Sequence, residues 1–370
     1  LTPAQPRSSL GLVAGALIDR TFTLTTSALV GVPPREQVRR ARDEVVAACA
    51  LFEARGWLAD PAAYHRDPPA LRAVEVTPAA TWLPSGRRRY RHVTFQSGYA
   101  PHEGEPGRDR WLQHPRNATA HVYLLEHATP RPWLVCVHGF GMGSPRVNFL
   151  AFQAERLHRE LGLNLAFPVL PLHGPRGGTR ISGREVLDAD YLRMVHLFSQ
   201  AVFEVRRLAR WLRRRGEERV GVYGISLGAY VASLVASLED DLDCVIAGIP
   251  AVDFSELARS NEPWGVSRHE QDLRIDWGLV RAVTRPVSPL AFTPRVPHAA
   301  RFIYAGLADR VVGSEQPKSL WRHWGEPEIH WFRGGHVLGI RHASIVPFVA
   351  RALASLGMTR AGPPGDTDRR

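Results

Sequence analysis

The chain has 370 residues, of which 44% are hydrophobic and 22% charged. That balance supports a sizeable buried core and excludes wholesale disorder, collagen and coiled coil. The formal charge of +11 is almost entirely an arginine charge, since Lys318 is the only lysine among 47 basic residues. The arginines are scattered, and their densest runs, Arg87-Arg88-Arg89 and Arg213-Arg214-Arg215, lack interleaved stacking aromatics, so a coding bias accounts for the charge and no nucleic-acid partner is expected. Cys49, Cys136 and Cys244 are odd in number and far apart, which excludes a disulfide framework and a CxxC zinc site. Cys136 and Cys244 lie in apolar runs and read as core residues of a protein in a reducing compartment, so a cytoplasmic location is expected.

Residues 10–18 form an apolar run after Arg7, too short for the ~18 residues of a transmembrane span. The run has the length of a signal-peptide core. However, Asp19-Arg20 follows it and an A-x-A cleavage pattern does not, so a docked N-terminal helix is expected. Over 35–55, Val38, Val45, Val46, Cys49 and Phe52 fall on helical spacing after the start signal Pro33-Pro34, and Asp67-Pro68-Pro69 breaks the pattern. From about residue 88 the period becomes two. Segments 91–95 and 121–125 read as strands, and 133–137 is the continuous apolar run of a strand buried on both faces.

Strand and helix signals then alternate. Helices are expected over 146–160, 185–214, 227–238, 313–324 and 343–355, and strands over 163–170, 219–224, 244–249, 301–305 and 328–332. Such alternation predicts an α/β domain with a mostly parallel central sheet flanked by helices on both faces. The interval 251–298 breaks the rhythm, carries Trp264 and Trp277, and is too long for a plain loop, so it reads as a cap or lid insertion. The expected organisation is a helical N-terminal extension (1–87), a core (88–250 and 299–357), the cap (251–298) and a disordered tail (358–370).

The sharpest chemical signal is Gly224-Ile225-Ser226-Leu227-Gly228, between an apolar strand and a helical run. Glycines two positions either side of a serine allow a tight strand-to-helix turn that projects Oγ from the sheet edge, with a helix N-terminus favouring negative charge there. The pentapeptide alone arises by chance in about one chain in seven of this composition, so its placement is what gives it weight. An idle serine in a glycine-rich packing turn is the alternative. A second signal is His138-Gly139-Phe140-Gly141-Met142-Gly143, after the 133–137 strand. Acyl transfer needs two N–H donors for the developing oxyanion. Phe140 or Gly141 can supply one and Leu227 the other, while His138 reads as structural. The G-x-G-x-G spacing fails the dinucleotide fingerprint.

A serine nucleophile needs a histidine and an orienting carboxylate, which in such sheets follow it along the chain. Asp309 comes just past the 301–305 strand, with Asp253 as a competitor. His336 follows Gly334-Gly335 after the last strand; His330 falls inside a strand and His342 at a helix start. The glycine-rich stretch 171–180 opens on the same edge, and Arg176 and Arg180, with Arg184, could bind an anionic substrate group. No H-E-x-x-H occurs and no histidine clusters with carboxylates at ligand spacing, so no metal or cofactor is expected.

Through His138-Gly139-Phe140-Gly141, Gly224-Ile225-Ser226-Leu227-Gly228, Asp309 and Gly335-His336, in that order, the region 88–355 resembles the α/β-hydrolase superfamily. The resemblance implies an α/β-hydrolase fold with an eight-stranded core, a Ser226–His336–Asp309 triad and a lid at 251–298. It also implies a serine hydrolase, carboxylesterase-like, acting on a small-molecule ester or thioester; Trp264 and Trp277 of the cap could line a pocket for an apolar acyl group. An acyltransferase with the same triad and a non-catalytic binding protein on the same fold are the alternatives. The first eighty-odd residues match nothing in that core.

Overall fold

The computed structural model describes residues 10–30, 33–187, 190–215, 219–261 and 276–359. Among the described residues nine strands form one sheet: β1 Glu75–Leu83, β2 Gly86–Gln96, β3 Thr119–Leu125, β4 Trp133–Val137, β5 Asn164–Pro168, β6 Val220–Ile225, β7 Cys244–Gly248, β8 Arg301–Gly306 and β9 Glu328–Phe332. Their spatial order is β1-β2-β3-β5-β4-β6-β7-β8-β9. The first three strands and the β3–β5 junction are antiparallel. From β5 through β9 every pairing is parallel.

The described helices are α1 Leu10–Val30, α2 Arg35–Ala54, α3 Arg108–Leu112, α4 Pro145–Ala151, α5 Tyr191–Arg213, α6 Leu227–Leu238, α7 Phe254–Asn261, α8 Trp277–Thr284, α9 Glu315–His323 and α10 Ile345–Ser355. Strands β4, β5, β6 and β7 are buried along their whole length. Crossover helices cover both faces of a parallel sheet, which is why these strands read as unbroken apolar runs. β2 is antiparallel and near the edge, and its burial alternates instead. The long helix α5 starts at Tyr191, where the Asp190 side chain accepts the Arg193 N–H at 2.9 Å and so satisfies one orphan donor of the first turn.

Three expectations are corrected. The extension is helical only in part, because residues 75–83 form strand β1 and lengthen the sheet. β1 is an edge strand, exposed for most of its length, and it accommodates Pro78, whose missing N–H is tolerated there. The helix expected over 146–160 stops at Ala151 and resumes as a single wide turn, Arg156–Glu160; Gln153 between them has φ of 49° and cannot continue a helix. The helix expected from 185 begins at Tyr191, after a separate turn at Arg184–Leu187.

Helix α2 buries Val38, Ala41, Val45, Ala48 and Phe52 and packs against α5 and α8. The second half of the expected cap is thus wedged between the extension and the core. Residues 262–275, including Trp264, and 360–370, which make up most of the expected tail, lie outside the described residues. Among the described residues no helix is long and apolar enough to cross a membrane.

Candidate active site

The parallel strands β4, β6, β8 and β9 all point the same way, so the loops after them meet on one edge of the sheet. This is the edge where open α/β sheets hold their sites. Ser226 follows β6 directly and has φ of 56° and ψ of −116°, a conformation costing a non-glycine residue about 1–3 kcal/mol. The surroundings enforce it. The Ser226 N–H donates to the Gly248 carbonyl at 2.9 Å, and the Ser226 carbonyl accepts from Ala229 and Tyr230 in the first turn of α6. Gly224 and Gly228 lie so close to each other's backbone and to β4 that a Cβ on either would overlap neighbouring main chain.

His336 lies in the loop after β9, and its Nε2 is 2.9 Å from Ser226 Oγ. Its Nδ1 is 2.7 Å from Asp309 Oδ2. Asp309, in the loop after β8, accepts at Oδ1 the N–H groups of Val311 (3.0 Å) and Val312 (2.9 Å). Burial alone would raise the Asp309 carboxyl, but the imidazole of His336 and these N–H groups outweigh it and hold the carboxyl below the usual carboxylate range. An ionised carboxylate only accepts, so Nδ1 of His336 carries the proton and Nε2 of the neutral ring is free to accept the serine hydroxyl. Burial opposes the charged imidazolium of His336. The Asp309 carboxylate, with a smaller contribution from Asp19, overcomes that and raises its pKa above the ordinary value of 6.5.

The loop after β4 runs alongside. A Cβ on Gly139 would be 3.4 Å from Ser226 Cβ. Among the described residues, the N–H groups of Phe140, Gly141 and Leu227 donate to no protein acceptor. His138 braces the loop from beneath. Its Nε2 accepts the Leu170 N–H at 3.1 Å, so Nδ1–H must donate to the Gly139 carbonyl at 2.8 Å. Burial, with His173 close by, pushes its pKa down to about 3 and keeps it neutral.

The competing residues have other partners. Asp253 accepts from Ser255 Oγ and the Glu256 N–H at the start of α7, and His330 and His342 both bond to the Ser344 hydroxyl. The expectation for Arg176 is not met. Its side chain is 1% exposed, forms a two-pronged ion pair with Glu204 at 2.6 and 2.7 Å and donates to the Val169 and Asn117 carbonyls. Both terminal guanidinium nitrogens are engaged inside the core, so it is a structural ion-pair residue and not a substrate contact. Arg180 is exposed on the same loop. Trp277, at the start of α8, packs edge-on against Tyr191 with ring centroids 5.9 Å apart. Among the described residues no group of three metal-ligating side chains occurs.

Sequence reasoning passed over Asp19. It is fully buried and accepts the N–H groups of Arg310, His336 and Val337. The signal available was a lone acid in a helix whose other residues, Arg20 apart, are apolar or hydroxyl-bearing.

No protein-family model matches the chain. Two Mycobacterium tuberculosis proteins, "Uncharacterized protein MT2702" (strain CDC 1551 / Oshkosh) and "Uncharacterized protein Rv2627c" (strain ATCC 25618 / H37Rv), are each 42% identical over 357 residues, covering 96% of this chain and 85% of their own. Among solved structures, acetyl xylan esterase 1 from Thermoanaerobacterium sp. JW/SL YS485 is similar with a TM-score of 0.51 and 14% identity, over 82% of this chain and 93% of that one. The likeness is one of fold, of the α/β-hydrolase type, and the chain belongs to the family of the two mycobacterial proteins.

Proposed function

We propose that the protein is a serine hydrolase that cleaves a small-molecule carboxylic ester or thioester through an acyl-enzyme on Ser226. The observation that carries the reading is the unbroken relay from Ser226 Oγ through His336 to Asp309, with contacts of 2.9 and 2.7 Å, starting from a serine in a strained backbone conformation. In the first half-reaction Oγ attacks the acyl carbon while His336 Nε2 takes its proton, and Asp309 stabilises the imidazolium. The carbonyl oxygen becomes the oxyanion, received by the N–H of Leu227 and that of Phe140 or Gly141. The C–O or C–S bond breaks as His336 returns the proton to the leaving alcohol or thiol. Water then repeats the sequence on the acyl-enzyme, His336 again acting first as base and then as acid.

An apolar acyl group suits the aromatic surroundings. Tyr230, one turn beyond Ser226, stacks on Phe198 at 4.1 Å and meets Phe254 at the root of the cap. This reading keeps the 251–298 insertion as the lid over the acyl group. The test is labelling of the full chain by a fluorophosphonate probe, compared with Ser226→Ala. Labelling that requires Ser226 is expected, followed by hydrolysis across a panel of acyl esters of graded length. A folded wild-type protein that stays unlabelled would overturn the reading.

A further inference from the structure

We propose that Asp19 is a positioning residue, which from the N-terminal helix clamps together the loops carrying the acid and the histidine of the proposed triad. The inference rests on the serine-hydrolase reading and extends it to a segment outside the sheet.

Three backbone donors from two loops converge on this one side chain. Oδ2 accepts the N–H of His336 at 2.6 Å and that of Arg310 at 3.0 Å, and Oδ1 accepts the N–H of Val337 at 3.0 Å. Arg310 is the neighbour of Asp309, and His336 is the proposed base itself. The two loops also touch directly through Ala308 N–H to the Gly334 carbonyl at 3.0 Å, but the Asp19 links fall on the proposed base itself and on the residues next to it and to Asp309.

Asp19 is the only acidic residue of α1, and it is fully buried. A carboxylate out of water is costly unless its lone pairs are satisfied, and here main-chain N–H groups satisfy them. The backbones come together to allow it. Leu12, Gly15 and Asp19 share the buried face of α1 at helical spacing. A Cβ on Gly15 would be 2.8 Å from the Gly335 nitrogen, and one on Gly335 would be 2.7 Å from Asp19 Oδ2. Glycine at both positions lets the helix lie flat on the loop. The other face of α1 exposes Val13, Leu17 and Leu24. The negative charge beside His336 also adds to that of Asp309 in favouring the imidazolium.

The test uses the full chain with p-nitrophenyl butyrate as the probe ester. Asp19→Ala and Asp19→Asn are compared with Leu17→Ala, a control on the exposed face of the same helix. Thermal unfolding, amide hydrogen exchange of 306–313 and 333–340, kcat and KM are measured for each. Asp19→Ala is expected to lose about 10²-fold in kcat, as a small misplacement of reacting groups does, with KM nearly unchanged and faster exchange confined to those two segments. Asp19→Asn keeps one acceptor oxygen and is expected to lose about tenfold, while Leu17→Ala matches wild type.

Unchanged exchange in both segments, or kcat for both Asp19 variants within about threefold of the control, would overturn the proposal. A kcat loss that merely tracks the fraction unfolded would do the same. Should Asp19→Ala fail to fold, Asp19→Asn decides by the same criteria. If wild type neither turns over the ester nor labels at Ser226, the hydrolase reading falls by itself. Faster exchange in the variants then still upholds the clamp, and unchanged exchange removes it.

Discussion

Gly228, in the first turn of α6, lies directly against the carbonyl of Val137, the last residue of β4, with no room between them for a Cβ. This contact sets how closely the elbow carrying Ser226 approaches the loop that begins at His138. The two glycines around Ser226 therefore do different things. Gly224 clears the backbone of the turn above it, and Gly228 clears the neighbouring strand. Gly228→Ala is expected to destabilise the fold by about 3 kcal/mol through overpacking, seen as a lower urea midpoint, with slower fluorophosphonate labelling of whatever remains folded. A wild-type midpoint would mean that the α6–β4 contact yields easily.

The pH dependence follows from the proposed base. His336 must be neutral to take the Ser226 proton, and its pKa is raised above 6.5. Activity is therefore lost as pH falls through that raised value, and the acid limb of kcat/KM should lie above pH 6.5. In Asp309→Asn the attraction is gone and burial acts almost alone, so the limb should move to lower pH while kcat falls by about 10⁴-fold. A limb that moved upward would contradict the assignment of Asp309 as the partner of His336.

The Arg176–Glu204 pair is buried on both sides. Removing one partner strands the other charge, so Arg176→Ala and Glu204→Ala should each cost about 3–5 kcal/mol, read from chemical unfolding. Replacing both with methionine should restore much of the loss. Preference between acidic and neutral esters should not change in any variant that folds, and a selective loss for acidic esters would return Arg176 to the substrate.

Arg180 is exposed. An exposed charge contributes up to about 1 kcal/mol to an ion pair. Arg180→Ala is thus expected to lower kcat/KM for esters with an anionic group by no more than about fivefold relative to neutral esters. Equal loss for both classes would remove any role in charge recognition.

All eight strands expected from periodicity and apolar runs are present: β4 to β7 because strands buried on both faces must be apolar whatever surrounds them, and β2 because a half-buried strand alternates. β1 escaped notice because Pro78, Ala79 and Ala80 give it neither alternation nor strong strand propensity. It exists because β2 offers it an edge to pair with. The same contrast runs through the site. Ser226, His336 and Asp309 stood out because glycine spacing and the ends of strands mark them locally, and the structure brings them within hydrogen-bonding distance.

Asp19 and Arg176 had no such local mark. A charge in a sequence carries no information on whether water or a buried partner receives it. Arg176 looked like a loop arginine until helix α5 placed Glu204 beneath it. Asp19 looked like the end of an apolar run until α1 laid it across two loops that lie 291 and 317 residues away. The sequence by itself determined the strand order along the chain, the serine turn and the residue types around it, since these depend on neighbours within a few positions. Only the tertiary structure decided which charges are buried and which backbone groups they hold, since those partners become neighbours only when the chain folds.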